Sequence, residues 1–505
     1  MHEAILARSF SKHEKRKLGV WAFLSSLLIG LVFCALLKAY SMGPLPALNL
    51  QLSRSIDFKV LSIMDASSYH KARDPPSRFQ IVEASNYYPK AREHSNSSLK
   101  SVDVIQPKNF EPLLAPIQCN FSQPRSDFCE INGDVRLQGN SSTIFIISAS
   151  KSGTDVAKPE ESSWSVRPYA RKIDRSVMSK IREFSLKSSA PSGKQSIARC
   201  TKNHTAAGVV FSIGGYAGNH FHDFTDVIIP LYITSRQYKG NVEFLIANIK
   251  PYWLAKYSVL LKALSKYDII NIDQDREIHC FPSMIVGLKA HKELSIDPSR
   301  SFPNRDSYSM RNFTQFLRSA YWLKRNTAIS LKDRHKRKPR LLIISRKMSR
   351  ALMNEDELAA EARRVGYDVV VADARGELGK FARMVNSFDV MMGVHGAGLA
   401  NSVFLPEKAV LIQVVPLGLE GLSKYDFELP AKDMNLRYLE YKISAKESSL
   451  TEKYPSDHPA LREPSSFNKG WDAFKAVYLD GQNVSLDVSR FRTTLLKAIE
   501  FLHHN

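Results

Sequence analysis

Cysteine is scarce in this chain: five among 505 residues, with no C-x-x-C pair and no Cys/His cluster at metal-ligand spacing. That scarcity argues against a zinc site or a redox dithiol. Acidic residues are in deficit as well, 50 Asp and Glu against 71 Lys and Arg, for a formal charge of +21. The basic excess suits anionic ligands, and KDRHKRKPR (332–340) concentrates it. Neither the dinucleotide fingerprint G-x-G-x-x-G nor a Walker lysine stands in the glycine-rich loop at 393–401. Long apolar runs are almost absent; after the first 40 residues every apolar run is strand-length.

The exception is LGVWAFLSSLLIGLVFCALL, Leu18 to Leu37, uncharged and long enough to span a bilayer. It lacks a small-residue cleavage site and is preceded by Arg8, Lys12, Lys15, Arg16 and Lys17. The positive-inside rule therefore predicts a cytosolic tail (1–17), a signal anchor (18–37) and a lumenal remainder, a type II topology. Six N-x-S/T sequons, at Asn96, Asn120, Asn140, Asn203, Asn312 and Asn483, all lie beyond the anchor. So do Cys119, Cys129, Cys200 and Cys280, an even set that allows three pairings; Cys119–Cys129 with Cys200–Cys280 is favoured because the first two are close in sequence. A lumenal address argues against nucleic acid, the reflex partner of a pI near 9.6.

Residues 38–116 are rich in Ser, Pro, Lys and Arg and read as a stem. The rest is long enough for two domains, 117–330 and 331–505. In the second, RLLIIS, YDVVVAD, FDVMMGV and AVLIQVVP read as strands alternating with the helices NEDELAAEARRVG and ELGKFARMVNS. That alternation predicts βαβ units around a parallel sheet, with ligands beyond the carboxyl ends of its strands. GVVFSI, VEFLIAN and YDIINI repeat the theme in the first domain, and DVSRFRTTLLKAIEFL reads as a closing helix.

Three clusters carry the chemistry. GVHGAGLAN follows a buried strand and leads into a short helix, so Gly396, Ala397 and Gly398 offer backbone N–H groups to an anion, with His395 and Asn401 beside them. Arg346 and Arg350 follow RLLIIS, and arginine forks suit a diphosphate leaving group. In GGYAGNHFHDFTD, His222 and Asp226 share a helical face with Asp223 adjacent; His222 or Asp223 is the expected general base. A tight turn, surface arginines and a capping Asp are the bland readings of the same residues. Asp273-Gln274-Asp275 is a D-x-D after a strand, but its charged neighbours favour a solvated turn over a metal site.

The segments CNFSQPRSDFCEINGDVRLQG, GGYAGNHFHDFTDVIIPLYITS, LLIISRKMSR, GVHGAGLAN and YLDGQNVSLDVSRFR together resemble plant members of glycosyltransferase family 61, from about Pro116 to the C-terminus. The resemblance implies an α/β fold of GT-B type, two Rossmann-like domains facing a cleft. It implies an inverting Golgi enzyme that moves arabinofuranose or xylose from a UDP-sugar to xylan, with no metal or cofactor. Arg346 and the HGAGLAN loop would hold the donor diphosphate. The departure from relatives at Ala400, where Thr is expected, leaves the backbone donors intact. Two alternatives stay open: transfer to the N- or O-glycans of a glycoprotein, and a non-catalytic lumenal scaffold within a Golgi enzyme complex.

Overall fold

The computed structural model describes residues 117–147, 162–189, 199–300, 308–332, 337–464 and 470–504. The expected tail, anchor and stem, together with Asn96, lie outside them. Among the described residues no helix is long and apolar enough to cross a membrane.

The first half is built on a mixed sheet. Its strands are Ile117–Asn120 (β1), Phe128–Gln138 (β2), Thr143–Ile147 (β3), Ser163–Val166 (β4), Phe184–Ser189 (β5), Lys202–Asn203 (β6), Ala207–Ser212 (β7), Val242–Ala247 (β8), Ile270–Asn271 (β9) and Ile278–Val286 (β10). They run in the order β4-β5-β3-β2-β10-β7-β8-β9, with β1 on β2 and β6 on β10. β10, β7, β8 and β9 are parallel, as the expected Rossmann-like domain requires. The rest departs from it: β2 pairs antiparallel with β1, β3 and β10, and YDIINI yields only a two-residue strand. Disulfides Cys119–Cys129 and Cys200–Cys280 tie β1 to β2 and the approach to β6 onto β10.

The second half is a five-stranded parallel sheet: Arg340–Ser345 (β11), Asp368–Asp373 (β12), Val390–Val394 (β13), Val410–Val415 (β14) and Arg437–Lys442 (β15). β13 and β14 are buried along their whole length, the signature of strands covered on both faces. The order β12-β11-β13-β14-β15 reverses direction between β11 and β13. That reversal leaves a crevice beyond the carboxyl ends of β11 and β13, where doubly wound sheets take their ligands. The helix Glu355–Val365 stops at Gly366 (φ 117°), a left-handed cap. Asn354 does not cap its start with a side-chain bond; its carboxamide bonds the Leu486 backbone instead. The closing helix, Val488–His503, buries Phe491, Leu495, Ala498 and Leu502.

Each half turns one helix toward the other through the same irregularity. Asp223–Ile228 and Lys424–Glu428 are π-helical turns, closed by Ile229 N–H to Phe224 O and Leu429 N–H to Lys424 O. Pro230 and Pro430 follow at the second helical position. A proline cannot donate to the carbonyl four residues back, which here belongs to Asp226 and to Asp426. The wider turn accommodates that missing bond at the two carboxylates. Contacts then join the halves: Phe221 against Phe427 (5.6 Å), His220 Nε2 to Asn401 Oδ1 (3.0 Å) and Ser295 Oγ to Asp433 Oδ2 (2.6 Å).

Candidate functional site

Ser345 ends β11, and the chain turns back so that Arg346 and Arg350 lie over the loop after β13. Arg346 Nε bonds Ser349 O (3.0 Å), and Arg350 Nη1 bonds His395 O (3.0 Å). Arg350 sits at φ 53°, its N–H donated to Gln482 O (2.8 Å), and its buried Nε has no partner among the described residues. Neither guanidinium forms an ion pair with a described carboxylate. Burial lowers the pKa of Arg346, and burial plus the charge of Arg346 brings Arg350 down to about 10. Two half-buried, mutually repelling cations are a strong field for an anion.

Gly396 makes this stacking feasible. Its φ of 146° favours glycine, and a Cβ there would fall on the Arg346 guanidinium and 3.2 Å from Arg350 Nη1. The 3₁₀ helix Ala397–Phe404 starts at once and has no side-chain cap, so its first N–H groups face the crevice without helical partners. Asn401 does not line up with those donors. It is buried, donates to Gly398 O (2.9 Å) and accepts from His220, so its role is to fix the loop and join the halves.

His395 could bring either a hydrogen bond or a positive charge to the loop, and its surroundings decide between them. Tyr438 OH donates to Gln413 Oε1 (2.8 Å), so Gln413 Nε2 donates to His395 Nδ1 (2.9 Å), leaving the ring proton on Nε2. Burial, then the charges of Arg350 and Arg346, lower the pKa to about 3. This neutral ring can give a hydrogen bond, not a positive charge.

The opposite wall also corrects the sequence reading. Asp223 is wholly buried and accepts from Gly218 N–H (2.9 Å), Trp253 Nε1 (2.9 Å), Lys256 Nζ (3.1 Å) and Tyr257 OH (2.8 Å). A carboxylate with four donors cannot serve as an open base; it fastens the glycine loop to the helix Pro251–Leu264. His222 is better disposed. Its Nδ1 meets Asp226 Oδ2 at 3.0 Å and its ring stacks on Tyr216 at 4.3 Å. Asp226 also accepts from Tyr169 OH (2.9 Å), Arg125 (3.1 Å) and Arg171 (2.8 Å). Burial would raise its pKa, but the His222 and Arg171 bonds and charges outweigh burial and lower it.

Sequence reasoning passed over three residues. His220, held neutral by burial and Lys256, links the halves. Glu293 pairs with Arg125 and, at 2.9 Å, with Arg171. Asp426 approaches His395 Nε2 at 3.8 Å. His220 stands inside GGYAGNHFHDFTD, but no motif marks Glu293 or Asp426. A cavity of ≈ 490 Å³ opens between the halves, lined by Gly218, His220 and Lys256 on one side and Arg375, Ala397 and Gly398 on the other. Another, of ≈ 650 Å³, lies against Asp275 and His279. There Asp273 accepts from Arg182 (3.1 Å), Asn248 N–H (3.0 Å) and Ile249 N–H (2.8 Å), while Asp275 accepts from Glu277 N–H (2.8 Å) and His279 (3.1 Å). Both carboxylates of the D-x-D pair are thus engaged by donors of the fold.

Of the sequons, Asn120, Asn140, Asn203 and Asn312 are exposed or half-buried at the surface. Asn483 departs from the rest. Its Oδ1 accepts from Ala351 N–H (2.9 Å), and Val484 beside it is buried and bridges Leu352 and Ser448. That side chain braces the Arg350 turn, which is a poor setting for a glycan.

Comparison with known proteins places the geometry in context. The family model described as Glycosyltransferase 61 matches residues 221–412. An alpha-1,3-arabinosyltransferase of Oryza sativa subsp. japonica is 42% identical over 87% of this chain and 72% of its own length. A beta-1,2-xylosyltransferase of the same plant is 41% identical over 80% of this chain and 87% of its own. A xylan glycosyltransferase of Arabidopsis thaliana is 36% identical over 81% and 86%.

Proposed function

Since the chain belongs to glycosyltransferase family 61, we propose that it transfers a pentose, arabinofuranose or xylose, from a UDP-sugar onto xylan. The observation that carries the donor half is the Arg346–Arg350 pair, half-buried without a carboxylate partner among the described residues and stacked on Gly396 at the sheet's reversal point. A nucleoside diphosphate supplies the missing negative charge. As the bond to the sugar breaks, charge grows on the departing diphosphate, and fixed guanidinium and backbone N–H donors stabilise it most at that moment. His395, neutral, adds a hydrogen bond. The donor nucleotide occupies the cleft between the halves, a GT-B-type arrangement, with inversion at the anomeric carbon following from direct attack by the acceptor. His222, held by Asp226, orients the acceptor from the opposite wall.

The same reading puts the chain in the Golgi membrane as a single-pass type II protein, on the strength of the Leu18–Leu37 run and the basic residues before it. Full-length protein in microsomes, given xylo-oligosaccharides and UDP-xylose or UDP-arabinofuranose with and without EDTA, tests the activity. A pentose-extended product by mass spectrometry, formed in EDTA, is expected; no product from either donor sinks the reading. Protease protection of all but the N-terminal tail tests the topology.

A further inference from the structure

The acidic side chains of the cleft are not alike. Asp223 and Asp226 have four donor residues each, and Glu293 has Arg125, Arg171 and Thr225. Asp426 has no hydrogen-bond donor among the described residues; it approaches His395 Nε2 at 3.8 Å. It is nevertheless firmly placed. Phe427 beside it is buried and packs edge-on against both the His395 ring (5.5 Å) and Phe221 of the other half (5.6 Å). The backbone carbonyl of His395 in turn holds Arg350. The unbonded carboxylate and the Arg350 guanidinium therefore flank one residue, a setting in which an acceptor hydroxyl and a leaving diphosphate can meet.

We propose that Asp426 is the catalytic base of the pentosyl transfer. This rests on the transfer reading above and assigns its proton. Asp426 Oδ takes the hydroxyl proton of a xylose unit; that oxygen bonds to the anomeric carbon, and the anomeric carbon–oxygen bond to the diphosphate breaks. The bond's electron pair leaves with UDP, held at Arg346 and Arg350, and the proton passes from Asp426 to water. His395 cannot take it, because Nε2 already carries a proton and Nδ1 is bonded to Gln413. His222, its Nδ1 on Asp226, keeps Nε2 as an acceptor and is the rival that the experiment separates from Asp426.

The charged surroundings agree. The groups facing Asp426 are His395, Glu293, Asp226, Arg171 and Arg125. Burial and then Glu293 raise its pKa to about 7, with the two arginines only partly opposing. A base poised there is half ionised near neutrality and strong enough to assist a hydroxyl.

The full-length chain in detergent, assayed with UDP-pentose and xylo-oligosaccharide, tests this. Asp426→Asn should lower kcat by ~10²–10³-fold while UDP binding by calorimetry is unchanged, and Asp426→Glu should restore part of the rate. Wild-type kcat should rise with pH through about 7, and that limb should vanish in Asp426→Asn. An Asp426→Asn rate within about threefold of wild type overturns the assignment alone. So does an acid limb that survives in Asp426→Asn and disappears in His222→Gln. Wild-type protein that binds UDP but transfers no pentose overturns the transfer reading, and this assignment with it.

Discussion

The cleft wall from the mixed sheet keeps its buried charges in pairs, while the wall from the parallel sheet, where Arg375 pairs with Asp373, leaves Arg346, Arg350 and Asp426 without such pairs among the described residues. Asp226 meets Arg125, Arg171, Tyr169 and His222; Asp223 meets Lys256, Tyr257, Trp253 and a backbone N–H. Among the described residues, Arg346, Arg350 and Asp426 have no ion pair of that kind, apart from the long approach of Asp426 to His395. Paired buried charges fix geometry, because removing one partner leaves the other stranded. Bare ones cost stability on their own and gain it when a ligand arrives. The site's chemistry is therefore to be sought where the folded chain is least satisfied.

Substitutions can break that contrast. Asp226→Ala should be the most damaging, leaving Arg125 and Arg171 with one carboxylate between them at a cost of ~3–5 kcal/mol. Thermal denaturation reads this directly, and a midpoint near wild type would mean the paired wall is not structural. Arg346→Ala should lower transfer by ~10²–10³-fold with the melting midpoint unchanged or higher, since no partner is stranded. A clear fall in midpoint would show that this arginine belongs to the scaffold. Gly396→Ala should cost transfer roughly tenfold by displacing both guanidinium groups, alongside ~1–3 kcal/mol of backbone strain. UDP titration of the folded variant separates the two effects.

A last effect lies in the pH dependence of stability. Asp426 titrates at about 7 when folded, against an ordinary value of ~3.9 when unfolded. Between those values the folded chain holds a proton that the unfolded chain has lost, so this group's contribution to stability falls as pH rises. His395 and His220 act oppositely. Each titrates at about 3 when folded and ~6.5 when unfolded, so their contribution falls as pH drops below ~6.5. The melting difference between Asp426→Asn and wild type should therefore widen from pH 4 to pH 7 in favour of the variant. A constant difference would show that Asp426 is not held proton-bound by the fold.

Much of the parallel half was legible in the sequence. Four of its five strands announce themselves as apolar runs between helices, and that alternation alone puts Arg346 and Gly396 beyond strand ends. RYLEYK, the fifth, escaped because its alternating pattern gives no uninterrupted run. The antiparallel part of the mixed sheet was hidden for another reason. β2 carries Asn132, Gly133 and Asp134 in its middle, a turn-like trio, and its main partner, β10, lies some 140 residues away. Four-residue spacing correctly put His222 against Asp226. It could not say that Asp223, on another side of that turn, would meet Trp253 and Tyr257. Asp426 was illegible for a plainer reason: its distinction is a missing partner, and no sequence pattern records one.

The two proline-relaxed turns bear on motion. Each gives up a helical hydrogen bond at the residue carrying a cleft carboxylate, so these are places where a helix can shift without first breaking a complete ladder. Breathing of the two walls should concentrate there. Amide hydrogen exchange around Tyr425–Leu429 should outpace that of the closing helix Val488–His503, and slow when UDP is bound. Asp226, caged by its partners, would travel with its helix as a rigid body, while Asp426, placed through Phe427 against His395 and Phe221, would move with the contact between the walls.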